Sequence, residues 1–352
     1  MFNKLKQLIT NQQNVMETLQ DDPFYFQPQA VGYHPNNAYT LGLISSLAYK
    51  NGTQLNPNLQ KDVPRWISKF NVADLALDKT KLNWFDSDTW SLTDTQAIVL
   101  ENQEVVIIGF RGSQERIDWL TDSQIIQRTK GPGGYGVHFG IYYALMSIWD
   151  KIEPYIKNKG DKTLWFTGHS LGAGLAVMAT AHCLFELNIV PNGLYNYGQP
   201  KVGSEDFVEA FNKKFVNQTF RFANNNDIVP FLPLSQSDLS VKVPNLVKYL
   251  PRTQKLSIVN ASTIIDYYHV GHLKYFDKDG VLHDEGLGIA DKWLDRIAGH
   301  LDSLLKIAPG SLTTGGLFDR VDLFGDHMMK QYIVNLKKHR EEWEMNKKSV
   351  SS

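Results

Sequence analysis

Thr163-Leu164-Trp165-Phe166-Thr167-Gly168-His169-Ser170-Leu171-Gly172-Ala173-Gly174-Leu175-Ala176-Val177-Met178-Ala179 decides the fold. A short apolar run, Leu164-Trp165-Phe166, leads directly into Gly168-His169-Ser170-Leu171-Gly172, and an alanine-rich helical pattern follows. A serine at a sharp strand-to-helix turn presents its hydroxyl outside the backbone. Glycines on either side let the strand and helix pass closely. The helix N-terminus then aims its N–H groups at a developing oxyanion. The segment reads as a nucleophile elbow, with Ser170 as nucleophile and the Leu171 N–H as an oxyanion donor. The bland alternative is a glycine-rich turn before a helix, and the strand and helix flanks argue against it.

The surrounding pattern alternates strands with helices. Thr95–Leu100 and Glu104–Phe110 flank Glu101-Asn102-Gln103 as a hairpin. Residues 36–50 read as a helix ended near Asn51-Gly52, and Phe139–Lys157 as a long helix. Thr163–Thr167, Gly193–Tyr197 and Thr219–Ala223 read as strands, with helices over Leu171–Leu187 and about 204–215 between them. Leu273–Phe276 and Val281–Leu282 bracket Asp277-Lys278-Asp279-Gly280 as a second hairpin. The alternation predicts an α/β fold, a central mixed, mostly parallel sheet flanked by helices. Amphipathic helices are expected over 2–20 and 287–307, and a final helix with charged last turns over roughly 326–346. The domain reading is an N-terminal helical extension (1–30), one α/β domain (31–346) with a helical insertion at about 284–320, and a polar tail (347–352).

Bulk properties exclude several classes. The 352 residues are 42% hydrophobic and 21% charged, an ordinary globular mix. With 36 basic and 37 acidic residues the net charge is −1, which gives no footprint for nucleic acid and no polybasic membrane anchor. No stretch approaches the roughly 20 apolar residues of a transmembrane helix. The first residues lack the apolar core of a Sec signal peptide, so a soluble, cytoplasmic protein is the default expectation and non-Sec export stays open. The single cysteine, Cys183, sits in an apolar run and reads as a buried small hydrophobe. No metal or organic cofactor is implied, because the histidines show no ligand spacing such as HExxH. Oligomeric state is not readable.

Gly168-His169-Ser170-Leu171-Gly172-Ala173-Gly174 resembles the elbow of the class 3 (fungal-type) lipases, a branch of the α/β-hydrolases. Four more segments resemble that family in the same order. They are Gly109-Phe110-Arg111-Gly112-Ser113, Val137-His138-Phe139-Gly140-Ile141-Tyr142, Tyr197-Gly198-Gln199-Pro200-Lys201-Val202-Gly203, and Asn226-Asp227-Ile228-Val229-Pro230-Phe231-Leu232-Pro233. Together the resemblance spans about residues 36–335. It implies the class 3 type of α/β-hydrolase fold.

By that resemblance Asp227 is the acid that orients the base, in the chain order Ser, Asp, His. The structural alternative for Asp227 is an Asx-type turn residue. The base is His327, because Gly325-Asp326-His327-Met328-Met329-Lys330-Gln331-Tyr332 resembles the family's DHxxYF-like segment. His269, in Tyr267-Tyr268-His269-Val270-Gly271, is the second candidate, while His272 and His300 read as structural or surface residues and His283 lies downstream as well. The insertion around 287–307 lengthens the separation of His327 from Asp227 beyond the compact fungal pattern. Ser113 is the expected first oxyanion donor, with an N-cap or turn role as its alternative. Arg111 reads as a structural salt-bridge residue. Gln114-Glu115-Arg116-Ile117-Asp118-Trp119-Leu120 matches the lid position, with Ile117, Trp119 and Leu120 as its apolar face. A surface helix packed shut is the competing reading. Helix 287–307 reads as a second cover or as core.

The implied activity is hydrolysis of carboxylic esters of acylglycerol-type lipids through an acyl-enzyme, with a lipid ester as partner, at a lipid–water interface. Phospholipase A1 and small-ester carboxylesterase are the nearest alternatives. A non-catalytic interaction protein that keeps the fold is the alternative from another class.

Overall fold

Asn102 shows how the first hairpin closes. Its Oδ1 accepts the N–H groups of Glu104 at 2.8 Å and Val105 at 3.0 Å, an Asx turn that reverses the chain. The strands it joins, β2 (Gln96–Glu101) and β3 (Val105–Phe110), pair antiparallel. The computed structural model describes residues 19–50, 52–76, 95–112, 128–225, 227, 229–233, 266–284 and 327–351. Element names below refer to these residues.

The remaining strands are β1 (Asn71–Ala76), β4 (Arg128–Lys130), β5 (Gly136–His138), β6 (Thr163–His169), β7 (Gly193–Tyr197), β8 (Thr219–Asn224), β9 (His272–Phe276) and β10 (Leu282–Asp284). The helices are α1 (Pro35–Leu47), α2 (Phe139–Met146), α3 (Trp149–Lys157), α4 (Leu171–His182), α5 (Glu205–Phe215) and α6 (Met329–Ser351). Eight strands form one sheet in the order β1-β2-β3-β6-β7-β8-β9-β10. From β3 to β9 every neighbouring pair is parallel, and antiparallel pairs occur at the two edges. β4 and β5 form a small separate ribbon. This is the mixed, mostly parallel sheet of an α/β-hydrolase.

Side chains of a strand alternate between faces, and here both faces are covered. Val106, Ile108, Leu164, Phe166 and Leu194 face a core completed by α2, α3, α4 and α5. Val105, Ile107, Trp165, Tyr195 and Tyr197 face a second core completed by α1 and α6. Leu19 and Phe26 belong to that second core, so residues 19–30 pack on the body. α4 is buried along nearly its whole length, as expected for a helix apolar all round.

Three boundaries differ from the sequence reading. The long helix over 139–157 is two helices, α2 and α3, because Ile148 adopts φ −124°, ψ 7° between them. The helix after Ser170 turns into a π-helical segment at Cys183–Leu187, which ends at Asn188 with φ 53°. α6 runs to Ser351, through the stretch read as a polar tail. β1 is an edge strand that the sequence reading left unassigned. The expected helices at 2–20 and 287–307 fall outside the described residues, save for a 3-10 turn at Leu19–Asp21.

Candidate active site

The carboxyl ends of four parallel strands carry the site. Gly112 follows β3, Ser170 follows β6, Gly198 follows β7 and Asp227 follows β8. Open α/β sheets place their ligands in this position because helix N-termini and loop backbones converge there.

Ser170 sits at the N-cap of α4 with φ 59° and ψ −128°. Such a backbone is costly for a non-glycine residue, about 1–3 kcal/mol, and is held only by its surroundings. Serine commonly caps a helix through its hydroxyl, yet Ser170 makes no side-chain cap bond. Its N–H is instead tied to the Tyr197 carbonyl at 3.0 Å, which anchors the turn to β7. The flanking glycines are sterically required. A Cβ on Gly168 would lie 2.1 Å from the Gly172 oxygen, and one on Gly172 would lie 2.2 Å from the Phe110 oxygen. Leu171 is the first residue of α4, a position whose N–H has no partner inside the helix.

Asp227 is completely buried and surrounded by donors. Val229 N–H donates to Oδ1 at 2.9 Å, and the Tyr332 hydroxyl donates to Oδ2 at 2.6 Å. His327 Nδ1 is 2.9 Å from both carboxylate oxygens. With the carboxylate acting as acceptor, Nδ1 carries the imidazole proton and Nε2 keeps its lone pair. Tyr332 lies one turn into α6, and its oxygen also accepts the Asn224 N–H at 3.1 Å. Gly198, at φ +59°, leaves room for this pair. A Cβ there would be 2.8 Å from His327 Cε1 and 2.9 Å from Asp227 Oδ2.

The serine and the histidine are joined through the intervening residue of the elbow. His169 Nε2 lies 2.6 Å from the His327 carbonyl oxygen, and the two rings meet at a tilt of 30° with centroids 4.5 Å apart. Burial first, and the neighbouring His327 second, hold the His169 imidazole well below the usual histidine range.

His269 is placed elsewhere. Its Nε2 contacts the Pro230 carbonyl at 2.7 Å, and its Nδ1 faces Gln199 Nε2 at 3.5 Å. Burial, then Arg221 and Lys201, depress its pKa. Both nitrogens are thus engaged away from Asp227. His272 stacks on Phe220, and His283 pairs with Asp277 at 2.9 Å. Arg111 is buried, and its Nη1 donates to Gln96 Oε1 at 2.5 Å. Cys183 lies in the α4 core, where burial pushes its thiol up. Ser113, Ile117, Trp119, Leu120 and His300 lie outside the described residues. Among the described residues no group of three or more His, Cys, Asp or Glu could hold a metal ion. Sequence reasoning missed Tyr332 and Tyr49 as members of the site. Tyr332 stood inside a quoted motif, but nothing in the sequence near Tyr49 signals a role.

A strained serine elbow at the centre of a mostly parallel sheet, with a histidine–aspartate pair beside it, is the arrangement of the α/β-hydrolase fold. Residues 107–237 match the model of the class 3 lipase family. Among curated proteins it is similar to the secreted mono- and diacylglycerol lipase 1 of Fusarium solani, 32% identical over 36% of this chain and 39% of that one. It is also similar to toxin TseL of Vibrio cholerae serotype O1, 29% identical over 40% of this chain and 22% of that one. The chain therefore spans well under two thirds of either relative. The lipase structure from Rhizopus microsporus var. chinensis shares the fold, with a TM-score of 0.53 and 18% identity over 80% of this chain and 93% of that chain. Among the described residues no helix is long and apolar enough to cross a membrane.

Proposed function

We propose that the protein is a serine hydrolase of carboxylic esters in acylglycerol-type lipids, working through an acyl-enzyme. The observation that carries this reading is the His327 imidazole seated on the buried Asp227 carboxylate next to the strained Ser170 turn. The lipase name of the Fusarium relative supports the lipid ester as substrate.

In this mechanism His327 Nε2 takes the Ser170 proton as Oγ bonds to the acyl carbonyl carbon. The carbonyl π pair moves to oxygen, and the resulting oxyanion is held by the backbone N–H groups of Leu171 and Ser113. Losing one such donor typically costs about 2.7–4 kcal/mol of barrier. Collapse breaks the carbon–oxygen bond to the alcohol, which leaves with the proton from His327. His327 next deprotonates a water, whose oxygen attacks the acyl carbon. The second collapse releases the carboxylic acid and returns the proton to Ser170. Asp227 stays an acceptor throughout, fixing the imidazole tautomer and stabilising imidazolium.

The test is hydrolysis of p-nitrophenyl esters by the wild type and by Ser170→Ala. Loss of turnover in the variant supports the reading, and equal hydrolysis by both sinks it. Di- and triacylglycerol emulsions run beside phosphatidylcholine and short-chain esters then assign the head group. Preference for phospholipid or for short soluble esters would move the substrate while leaving the chemistry in place.

A further inference from the structure

We propose that Tyr49 and His169 are positioning residues that tie the oxyanion side of the site to the base through the packing of Gly112 and one hydrogen-bonded chain. The proposal rests on the serine hydrolase reading above.

The direction of each bond follows from chemistry. The His327 carbonyl can only accept, so His169 Nε2, 2.6 Å away, must carry the hydrogen. Only one nitrogen of a neutral imidazole is protonated, which leaves His169 Nδ1 as an acceptor. Tyr49 Oη lies 2.8 Å from that Nδ1 and must therefore donate to it. Gly112 packs directly against the Tyr49 hydroxyl, so closely that a Cβ on it would lie 2.3 Å from Oη. The chain thus runs from Tyr49 O–H, against which Gly112 packs, to His169 and on to the backbone of His327. Every hydroxyl and ring hydrogen in it has a single consistent orientation.

The two ends of this chain are the parts that must keep register during acyl transfer. Gly112 immediately precedes Ser113, the expected oxyanion donor. It is pressed so closely on the elbow that a Cβ there would lie 2.3 Å from Tyr49 Oη, 2.6 Å from the His169 oxygen and 3.0 Å from Ser170 Cβ. At the other end, the bonded carbonyl belongs to the residue whose ring rests on Asp227. A shift of the His327 turn therefore has to break a buried hydrogen bond, and a shift of the β3 end has to disturb the packing of Gly112 on Tyr49 and the elbow. His169 also occupies the elbow itself, so the nucleophile lies between the two ends it ties. Asp227 orients the imidazole from its side chain; Tyr49 and His169 hold the backbone that carries it.

Tyr49→Phe, His169→Leu and His169→Gln test the proposal, with Ser170→Ala as the reference for Ser170-dependent turnover. Turnover is expressed per site titrated by a fluorophosphonate, so misfolded protein does not count. The phenylalanine and leucine variants should each lose about tenfold or more in kcat with KM within about twofold, the signature of an interaction needed in the transition state. The double variant Tyr49→Phe/His169→Leu should be little worse than His169→Leu alone, because both members belong to one chain. The glutamine carboxamide can donate to the His327 carbonyl and accept from Tyr49, and should recover most of the loss. Unchanged kcat per titrated site, multiplicative losses in the double variant, or a glutamine variant as slow as leucine each overturn the tie. Absence of Ser170-dependent turnover in the wild type would sink the hydrolase reading instead. The tie is then read directly from the imidazole 15N shifts of His327 and the amide exchange of Gly112. Movement of both on Tyr49→Phe upholds it, and no change in either overturns it.

Discussion

His327 Nδ1 stands 2.9 Å from both oxygens of the Asp227 carboxylate, although 100 residues of chain separate the two. His269, only 42 positions from Asp227, turns its nitrogens to Pro230 and Gln199 instead. His327→Ala should therefore abolish Ser170-dependent turnover, and His269→Ala should keep most of it at permissive temperature. The check is kcat/KM for a p-nitrophenyl ester in both purified variants. The reverse ranking would make His269 the base.

Tyr332 gives the Asp227 carboxylate one of its donors and takes the Asn224 N–H itself. Tyr332→Phe removes a hydrogen bond to a buried charged group, worth about 1.5–3 kcal/mol in typical proteins. Thermal unfolding should show a lowered midpoint. kcat should fall several-fold as the carboxylate loses one of the bonds that fix its orientation. A variant indistinguishable from wild type in both readouts would show that Asp227 is held without it.

His138 predicts how stability responds to acid. It is fully buried at the start of α2, where its Nδ1 accepts the Ile141 N–H at 3.4 Å. Burial pushes its pKa down to about 3. The ordinary histidine value, about 6.5, applies once the chain unfolds. Below that value the unfolded chain binds a proton that the folded site refuses. The stability associated with His138 is therefore fully present above pH 6.5 and is lost as pH falls toward about 3. His169 and His269, also depressed, add in the same direction. Denaturant unfolding between pH 4 and 7 should show His138→Asn with a shallower slope than wild type, by at most about 1.4 kcal/mol per pH unit. An unchanged slope would mean that His138 is protonated in the folded chain.

Gly172 faces the Phe110 oxygen across the joint between β3 and α4. Gly172→Ala would place a methyl group against backbone that cannot swing aside. The expected result is a loss of folded yield or a strongly lowered unfolding midpoint, with Ser170-dependent turnover falling in parallel. A stable, fully active alanine variant would contradict the packing described for the elbow.

Much of this was legible in the sequence because the chemistry imposes local patterns. The elbow needs its strand, its glycines and its helix within a few positions, and the Asn102 hairpin is an equally local event. That part of the sheet would be parallel followed from strands alternating with helices, while the order β3-β6-β7-β8 is read only from the structure. Long-range hydrogen bonds leave no such trace. Tyr49 meets His169 across 120 positions and Tyr332 meets Asp227 across 105, and neither tyrosine sits in a residue pattern that names its partner. β1 escaped for a different reason. Asn71-Val72-Ala73-Asp74-Leu75-Ala76 is poor in β-branched residues and owes its strand form to pairing with β2 at the sheet edge. The break between α2 and α3 lacks a glycine or proline to announce it.

Covalent labelling asks whether Ser170 is a nucleophile activated by His327. The full chain would be treated with a fluorophosphonate at neutral pH and mapped by peptide mass spectrometry. One adduct is expected, on Ser170, absent from Ser170→Ala and formed far more slowly in His327→Ala. An unlabelled wild type, or an adduct that persists in Ser170→Ala, would contradict it.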